Sequence, residues 1–193
     1  MQATDLERRL DAHLRASPTL MQVLTTLRDL ALPDWRVVSG AVYQTVWNAL
    51  TGREPDHGIK DYDALYFDRD TSWEAEDVVI RGVAAAFPTV LAAKVEVRNQ
   101  ARVHLWFEGR FGEHYAPLAC TDEALLRFVA PAFAVGVRLE AGGRLDVAAP
   151  FGLEDCFAMR VRPNPVMAKS ADNYRAALER LRLRWPELVV EAG

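Results

Sequence analysis

Apolar residues recur at helical spacing from the start of the chain. Leu6, Leu10 and Leu14 form one stripe, and Leu20, Val23, Leu24, Leu27 and Leu30 form a second behind Ser17 and Pro18. Serine as a cap and proline in the first turn are start signals, so both stretches predict helices, the second closed by Pro33. The period then shortens. WRVVSG predicts a short strand running into a Ser-Gly turn, and AVYQTVWNALTG a helix with Val42, Val46, Trp47 and Leu50 inward and Gly52 at its end. REPDHG reads as loop. In IKDYDALYFD, aromatic and branched residues predict a strand. Residues two apart on a strand share a side, so Asp61 and Asp63 stand side by side.

The alternation continues downstream. SWEAEDVVIRGVAAAF predicts a helix ended by Pro88, and AAKVEVR a strand. NQARVHLWFEGRFG fits a helix capped by Asn99 and stopped by Gly112, with a longer strand through residue 106 as the competing reading. TDEALLRFV predicts a helix capped by Thr121 with acids in its first turn. AVGVRLEAGGRLDVAA is a hairpin pattern around Gly142 and Gly143. GLEDCFAMRV reads as a short helix, RPNP as a break and KSADNYRAALERLRLRW as a final amphipathic helix. Helices at both ends with a mixed middle predict an α+β domain: a mixed sheet flanked by helices, with helical N- and C-terminal additions. The expected layout is a single domain over 1–193, with N-terminal helices to 32, a core over about 33–150 and C-terminal helices over 151–193.

Composition adds little until charge is placed along the chain. The 193 residues are half hydrophobic with a formal charge of −4, ordinary for a globular protein. Residues 54–77 hold nine acids against Lys60 and Arg69, whereas residues 160–184 hold seven bases against Asp172 and Glu179. Such a pair of segments suits a site for cations and phosphates, or else two solvated faces. Without a dominant basic surface or a nucleic-acid motif, a plain nucleic-acid-binding module is disfavoured. Cys120 and Cys156 lack metal-ligand spacing and read as buried free thiols in a reducing compartment. The charged N-terminus lacks a signal-type apolar stretch, and no segment approaches membrane-spanning length, so a cytoplasmic location without membrane partners is expected.

Three features suggest chemistry. The Ser39-Gly40 turn leads from strand to helix, where a glycine lets a ligand approach and the helix start favours an anion. Asp61 and Asp63 on one strand side repel one another unless a cation or a proton intervenes, and two such carboxylates can bridge hard divalent ions. Glu96 lies between Val95 and Val97 and so faces away from them; if its strand pairs beside residues 61–67, a three-carboxylate cluster forms. Each feature has a plainer reading: an ordinary helix start, turn aspartates, an exposed strand glutamate. Arg98 and Lys60 stand near enough in sequence to neutralise phosphate, or are solvated. His104 reads as packed or exposed on a helix, His13, His57 and His114 as scattered, and Trp47, Trp106 and Trp185 as core rather than a stacking platform.

The order of strand, small turn, helix, Asp-x-Asp strand, helix and carboxylate strand resembles the polymerase-beta-like nucleotidyltransferase superfamily. SGAVYQTVWNALTG, IKDYDALYFD, VEVRNQARVHLWF, VGVRL, APFGLEDCFAMRVRPNP and WPEL are similar to a bacterial nucleotidyltransferase-like family over about residues 35–187. The resemblance implies metal-dependent transfer of a nucleoside monophosphate from a nucleoside triphosphate to a hydroxyl acceptor, with release of pyrophosphate. It implies Mg²⁺, with Mn²⁺ as the alternative, at Asp61, Asp63 and Glu96, and triphosphate at Ser39 and Gly40. Departures accompany it: Ser then Gly at the turn, a long interval from Gly40 to Asp61, and Glu where Asp is commoner. A catalytically inactive nucleotide-binding sensor or toxin–antitoxin partner is the alternative. A dehalogenase-type phosphohydrolase lacks its long apolar strand before Asp61, and an Asp-x-Asp glycosyltransferase lacks its upstream nucleotide-sugar domain.

Overall fold

A computed structural model describes residues 4–166 and 171–191. Two helices come first, α1 (Asp5–Arg15) and α2 (Pro18–Asp29). Thr4 and Glu7 close a reciprocal capping box on α1, and the Ser17 hydroxyl accepts from the Leu20 N–H at 3.2 Å to start α2. The buried sides carry Leu10, Leu14, Leu20, Val23, Leu24 and Leu27 of the two apolar stripes, with Leu6 and Leu30 partly buried against them.

The centre is a five-stranded mixed sheet built from β1 (Arg36–Val38), β2 (Tyr62–Tyr66), β3 (Val95–Asn99), β4 (Gly136–Leu139) and β5 (Leu145–Ala148). Its spatial order is β3-β2-β1-β4-β5, with β2 and β3 parallel and every other pair antiparallel. Helix α3 (Gly40–Leu50) joins β1 to β2; α4 (Trp73–Ala86) and the short α5 (Thr89–Ala92) make the parallel crossover to β3. A 3₁₀ turn over Gln100–Arg102 leads into α6 (Val103–Phe111), followed by α7 (Asp122–Leu125). After the hairpin come α8 (Glu154–Phe157), β6 (Arg160–Val161), α9 (Ala171–Arg182) and β7 (Val189–Val190), with β6 and β7 paired in parallel. The α+β class is thus the observed one.

The two sheet faces differ. Val37, Tyr62, Ala64, Tyr66, Val97 and Val137 belong to one buried cluster with α1, α2 and α3. The opposite face is only partly covered, by small clusters under α6, α7 and the segment that follows. There Arg36, 5% exposed, joins Asp122 through two guanidinium nitrogens and reaches Asp146 at 3.0 Å, tying β1 to α7 and to β5.

A buried polar clamp turns β3 into α6. The Asn99 side chain accepts from the N–H groups of Asp68 and Ala101, both at 3.0 Å, and donates to the carbonyls of Asp68 and Asp70 at 2.9 and 3.2 Å. Glu76 accepts from the Asn99 N–H at 2.9 Å and pairs with Arg102, which also donates to the Thr71 carbonyl. Helix, not strand, therefore follows residue 102, and Gly112 ends it in the left-handed conformation.

Some expectations fail. Thr121 makes no cap: its hydroxyl donates to the Asp34 carbonyl and its N–H to the Asp34 carboxylate at 2.7 Å, and the helix after it lasts one turn. Cys156 is fully buried, which pushes its thiol up to about 12, but Cys120 is only half-buried. Trp47 and Trp185 lie at 0% exposure, whereas Trp106 is 36% exposed. Lys169 and Ser170 at the start of the last expected helix lie outside the described residues. Among the described residues no helix is long and apolar enough to cross a membrane.

Asn99→Ala strands two N–H groups and two carbonyls around a buried position. It is expected to cost about 2–4 kcal/mol, read as a lower urea midpoint with an unchanged m value.

Candidate functional site

The partly open sheet face gathers the residues singled out in the sequence. Parity is fixed by β2, where Tyr62, Ala64 and Tyr66 are buried and Asp63 and Leu65 point to the other side. In β3, Val97 is buried while Glu96 and Arg98 are exposed. Register places Asp63 opposite Glu96 on one flank and opposite Val38 on the other, and Leu65 opposite Arg98. The pairing needed to bring Glu96 to the aspartates is therefore present. Asp61 sits exposed one residue ahead of β2.

The electrostatics confirm that these groups feel one another. Burial, joined by the charges of Asp61 and Glu96, raises the Asp63 carboxyl to about 6 against the opposing effects of the Ser39 hydroxyl and the Arg98 charge. Asp63 is thus a half-buried acid with two acidic neighbours and incomplete compensation. The three carboxylates share a face but do not converge: among the described residues, no three His, Cys, Asp or Glu side chains form a ready metal-holding group.

Beside them α3 begins. The backbone freedom required at this turn is taken by Ser39, with φ of 61°, rather than by Gly40. Such a φ is strained in a residue with a side chain, and such strain clusters at ligand sites. A Cβ at Gly40 would stand 2.8 Å from the amide nitrogen of Gln44, the end of a side chain that would have to shift. Gln44 donates to the Tyr43 hydroxyl at 3.2 Å, and its own oxygen is buried without a hydrogen-bond partner. Tyr43 is buried, which pushes its hydroxyl up to about 12, with Asp63 adding to the effect.

Arg98 donates to its neighbouring Val97 carbonyl at 2.8 Å and keeps its charge within reach of Asp63. Lys60 is exposed beside Asp61. His104 is half-buried on α6, with a ring nitrogen that lacks a partner. The basic C-terminal segment does not supply the site in the manner its charge suggested. Arg160 and Arg162 both pair with buried Asp155, and Arg184 donates to the Gly58 carbonyl at 3.2 Å. Part of the acidic segment is likewise engaged: Asp56 accepts from Ser17 and Thr19, Glu76 pairs with Arg102, and Asp77 with Arg81.

Sequence reasoning missed Arg127 and Phe128. They line a cavity of about 260 Å³ beside Ser39, with Val129 and Phe133. The Arg127 guanidinium lies 3.9 Å from the centre of the Tyr115 ring. No local motif marks either residue; they arrive through the chain that returns after α7.

This strand–turn–helix with carboxylates across two neighbouring strands is matched by a family model described as nucleotidyltransferase, over residues 25–190. The chain belongs to the nucleotidyltransferase family. Among solved structures, this nucleotidyltransferase resembles an NMR structure described as a CCA-adding enzyme head domain. The two are 28% identical over 96% of this chain and 95% of that one, with a TM-score of 0.78. A structure described as a tRNA-processing enzyme complex matches at 16% identity and a TM-score of 0.51, over 88% of this chain and 43% of its own length, and shares the fold alone. Comparison with proteins of curated function gives no match.

Asp63 carries a stability consequence with a definite sign. Its carboxyl protonates near pH 6 in the folded chain, against an ordinary value of 3.8. The folded state therefore holds a proton that the unfolded state has lost between those values, and stability rises as pH falls through about 6. Above pH 6 the ionised group opposes folding in full. In metal-free buffer Asp63→Asn is expected to gain about 1–3 kcal/mol at pH 8, shrinking towards zero by pH 4, in paired urea titrations.

Proposed function

We propose that this nucleotidyltransferase moves a nucleoside monophosphate from a nucleoside triphosphate to a hydroxyl acceptor, at the face carrying Asp61, Asp63 and Glu96. The observation that carries the reading is the charge crowding at Asp63, which sits opposite Glu96 and beside the first turn of α3. The donor set fits a hard divalent cation: carboxylate oxygens only, mutually repelling, with one acid raised by burial and by its neighbours. Mg²⁺ or Mn²⁺ bound by Asp61 and Asp63, with Glu96 adjoining, supplies neutralisation of the phosphate charge and stabilises what develops at phosphorus.

The chain's own groups divide the remaining work. The N–H groups that open α3 and the Ser39 turn receive the triphosphate, where the helix dipole favours negative charge. Arg98 offsets phosphate charge from the next strand. Glu96 takes the proton of the acceptor hydroxyl as its oxygen bonds to the α-phosphorus. The bond from that phosphorus to the bridging oxygen breaks, and pyrophosphate leaves with the electron pair. The relative described as a CCA-adding enzyme head domain makes an RNA end one acceptor to test beside small hydroxyl compounds.

One observation favours a second reading, a sensor or toxin–antitoxin partner that binds nucleotide without turnover: the three carboxylates are not drawn together into a ready metal-holding group. Pyrophosphate release decides between the two. With each nucleoside triphosphate, Mg²⁺ and an acceptor panel, the wild type is expected to release pyrophosphate. Asp61→Asn and Asp63→Asn are expected to fall at least about a hundredfold with their fold intact. Glu96→Gln is expected to lose turnover more than metal affinity. Wild-type rates in either aspartate variant sink the assignment; metal-dependent binding without release supports the sensor.

A further inference from the structure

A second cavity, of about 300 Å³, opens on the same sheet face one step from the carboxylates. Its floor is Leu65 and Arg98, each two residues beyond Asp63 and Glu96 on the same strand side. Two strand residues span roughly 7 Å. Its walls come from α6 and the chain on either side of α7. Trp106, Phe107, Tyr115 and Phe128 supply the rings, and Gln100 one of few polar groups. Phe107 and Tyr115 lie 4.6 Å apart between ring centres, and Trp106 lies 6.1 Å from Phe107. Arg127, over the Tyr115 ring, and Phe128 line both this cavity and the one beside Ser39.

Resting on nucleotidyl transfer at this face, we propose that the aromatic cavity seats the nucleobase of the triphosphate. The linear order of the site matches the order of the molecule. The α3 turn takes the phosphate tail, the carboxylates lie at the reacting phosphorus, and the aromatic cavity follows at the far side. At about 300 Å³ the space is at the small end of ligand sites, sized for one ring system rather than a whole nucleotide. Its lining holds aromatic rings and the guanidinium groups of Arg98 and Arg127, the kinds of group on which bases stack without regard to identity. Trp106 accordingly stays 36% exposed at the wall of the cavity instead of joining the core. With few groups that read a base edge, the seat favours purines over pyrimidines through ring area and does not select one base absolutely.

Calorimetry of the full chain with ATP and with inorganic tripolyphosphate, each with Mg²⁺, tests this. Wild type is expected to bind ATP more tightly than tripolyphosphate. Trp106→Ala is expected to weaken ATP about tenfold to a hundredfold, the usual loss of one stacking partner, and to leave tripolyphosphate unchanged. Trp106→Phe is expected to restore most of the difference. Equal affinity of wild type for the two ligands overturns the proposal, as does full ATP affinity in Trp106→Ala. If that variant binds ATP normally but loses turnover with an acceptor, the cavity belongs to the acceptor and the proposal is wrong. If neither ligand binds, or binding survives in Asp61→Asn/Asp63→Asn, the underlying transfer reading fails and this one falls with it.

Discussion

Parity in β2 is the constraint on which the rest of the structure depends. Tyr62, Ala64 and Tyr66 enter the main core, so Asp63 and Leu65 must leave by the other face. A slip of one residue would bury the carboxylate among apolar helices and expose two tyrosines. The strand is also flanked on both sides, by β1 antiparallel and by β3 parallel. Each flank delivers something to that face at a fixed height. From β1 come Val38 and, just beyond it, the strained Ser39 that opens α3; from β3 comes Glu96, with Arg98 one step on. The hydrophobic core thereby sets where the acids stand.

The second determinant is the clamp at the end of β3. Asn99 is 1% exposed and satisfies four backbone groups, so the chain can leave the sheet there without orphaned polar atoms. Glu76 and Arg102 neutralise each other beside it. The turn so formed aims α6 across the open face, where Trp106 and Phe107 become the wall of the aromatic cavity. The stretch VEVRNQARVHLW thus combines two duties. Glu96 and Arg98 face the proposed site, while Asn99 and Arg102 hold the bend that leads into α6.

These duties were unequally legible. Alternation exposed β2, β3 and the hairpin because period two is a local signal, and the leucine stripes exposed α1 and α2 for the same reason. Asp61 and Asp63 could be placed side by side from spacing alone. The position of Glu96 against Asp63 required knowing that β3 pairs beside β2, which spacing does not state and the family resemblance supplied. Arg127 and Phe128 had no signal at all, because their place follows from how the chain folds back after a one-turn helix. Trp106 misled: a tryptophan at helical spacing reads as core, but the face of α6 that carries it borders a cavity. Thr121 misled in a similar way. A threonine before acids looks like a cap, yet Asp34, 87 residues earlier, claims both its hydroxyl and its N–H.

The charge segments show the same division between local pattern and tertiary use. Arg160 and Arg162 spend their charge on buried Asp155, and buried Glu76 spends its own on Arg102. What remains along the open face is ordered by height on the strands. The lower row runs Glu96, Asp63, Val38 and Gly136; the upper row runs Arg98, Leu65, Arg36 and Arg138. Arg36 and Arg138 are held by Asp122 and Asp146, so their charge is spent on the sheet itself. Arg98 has no such carboxylate partner in its register position, where Leu65 stands. A half-buried acid with two acidic neighbours is a poor arrangement for a purely structural face, since burial and those neighbours together raise Asp63 towards neutrality despite the Arg98 charge. It is a sound arrangement for a face that completes its charge balance with a cation and a polyphosphate, because the two ligands cancel both excesses at once.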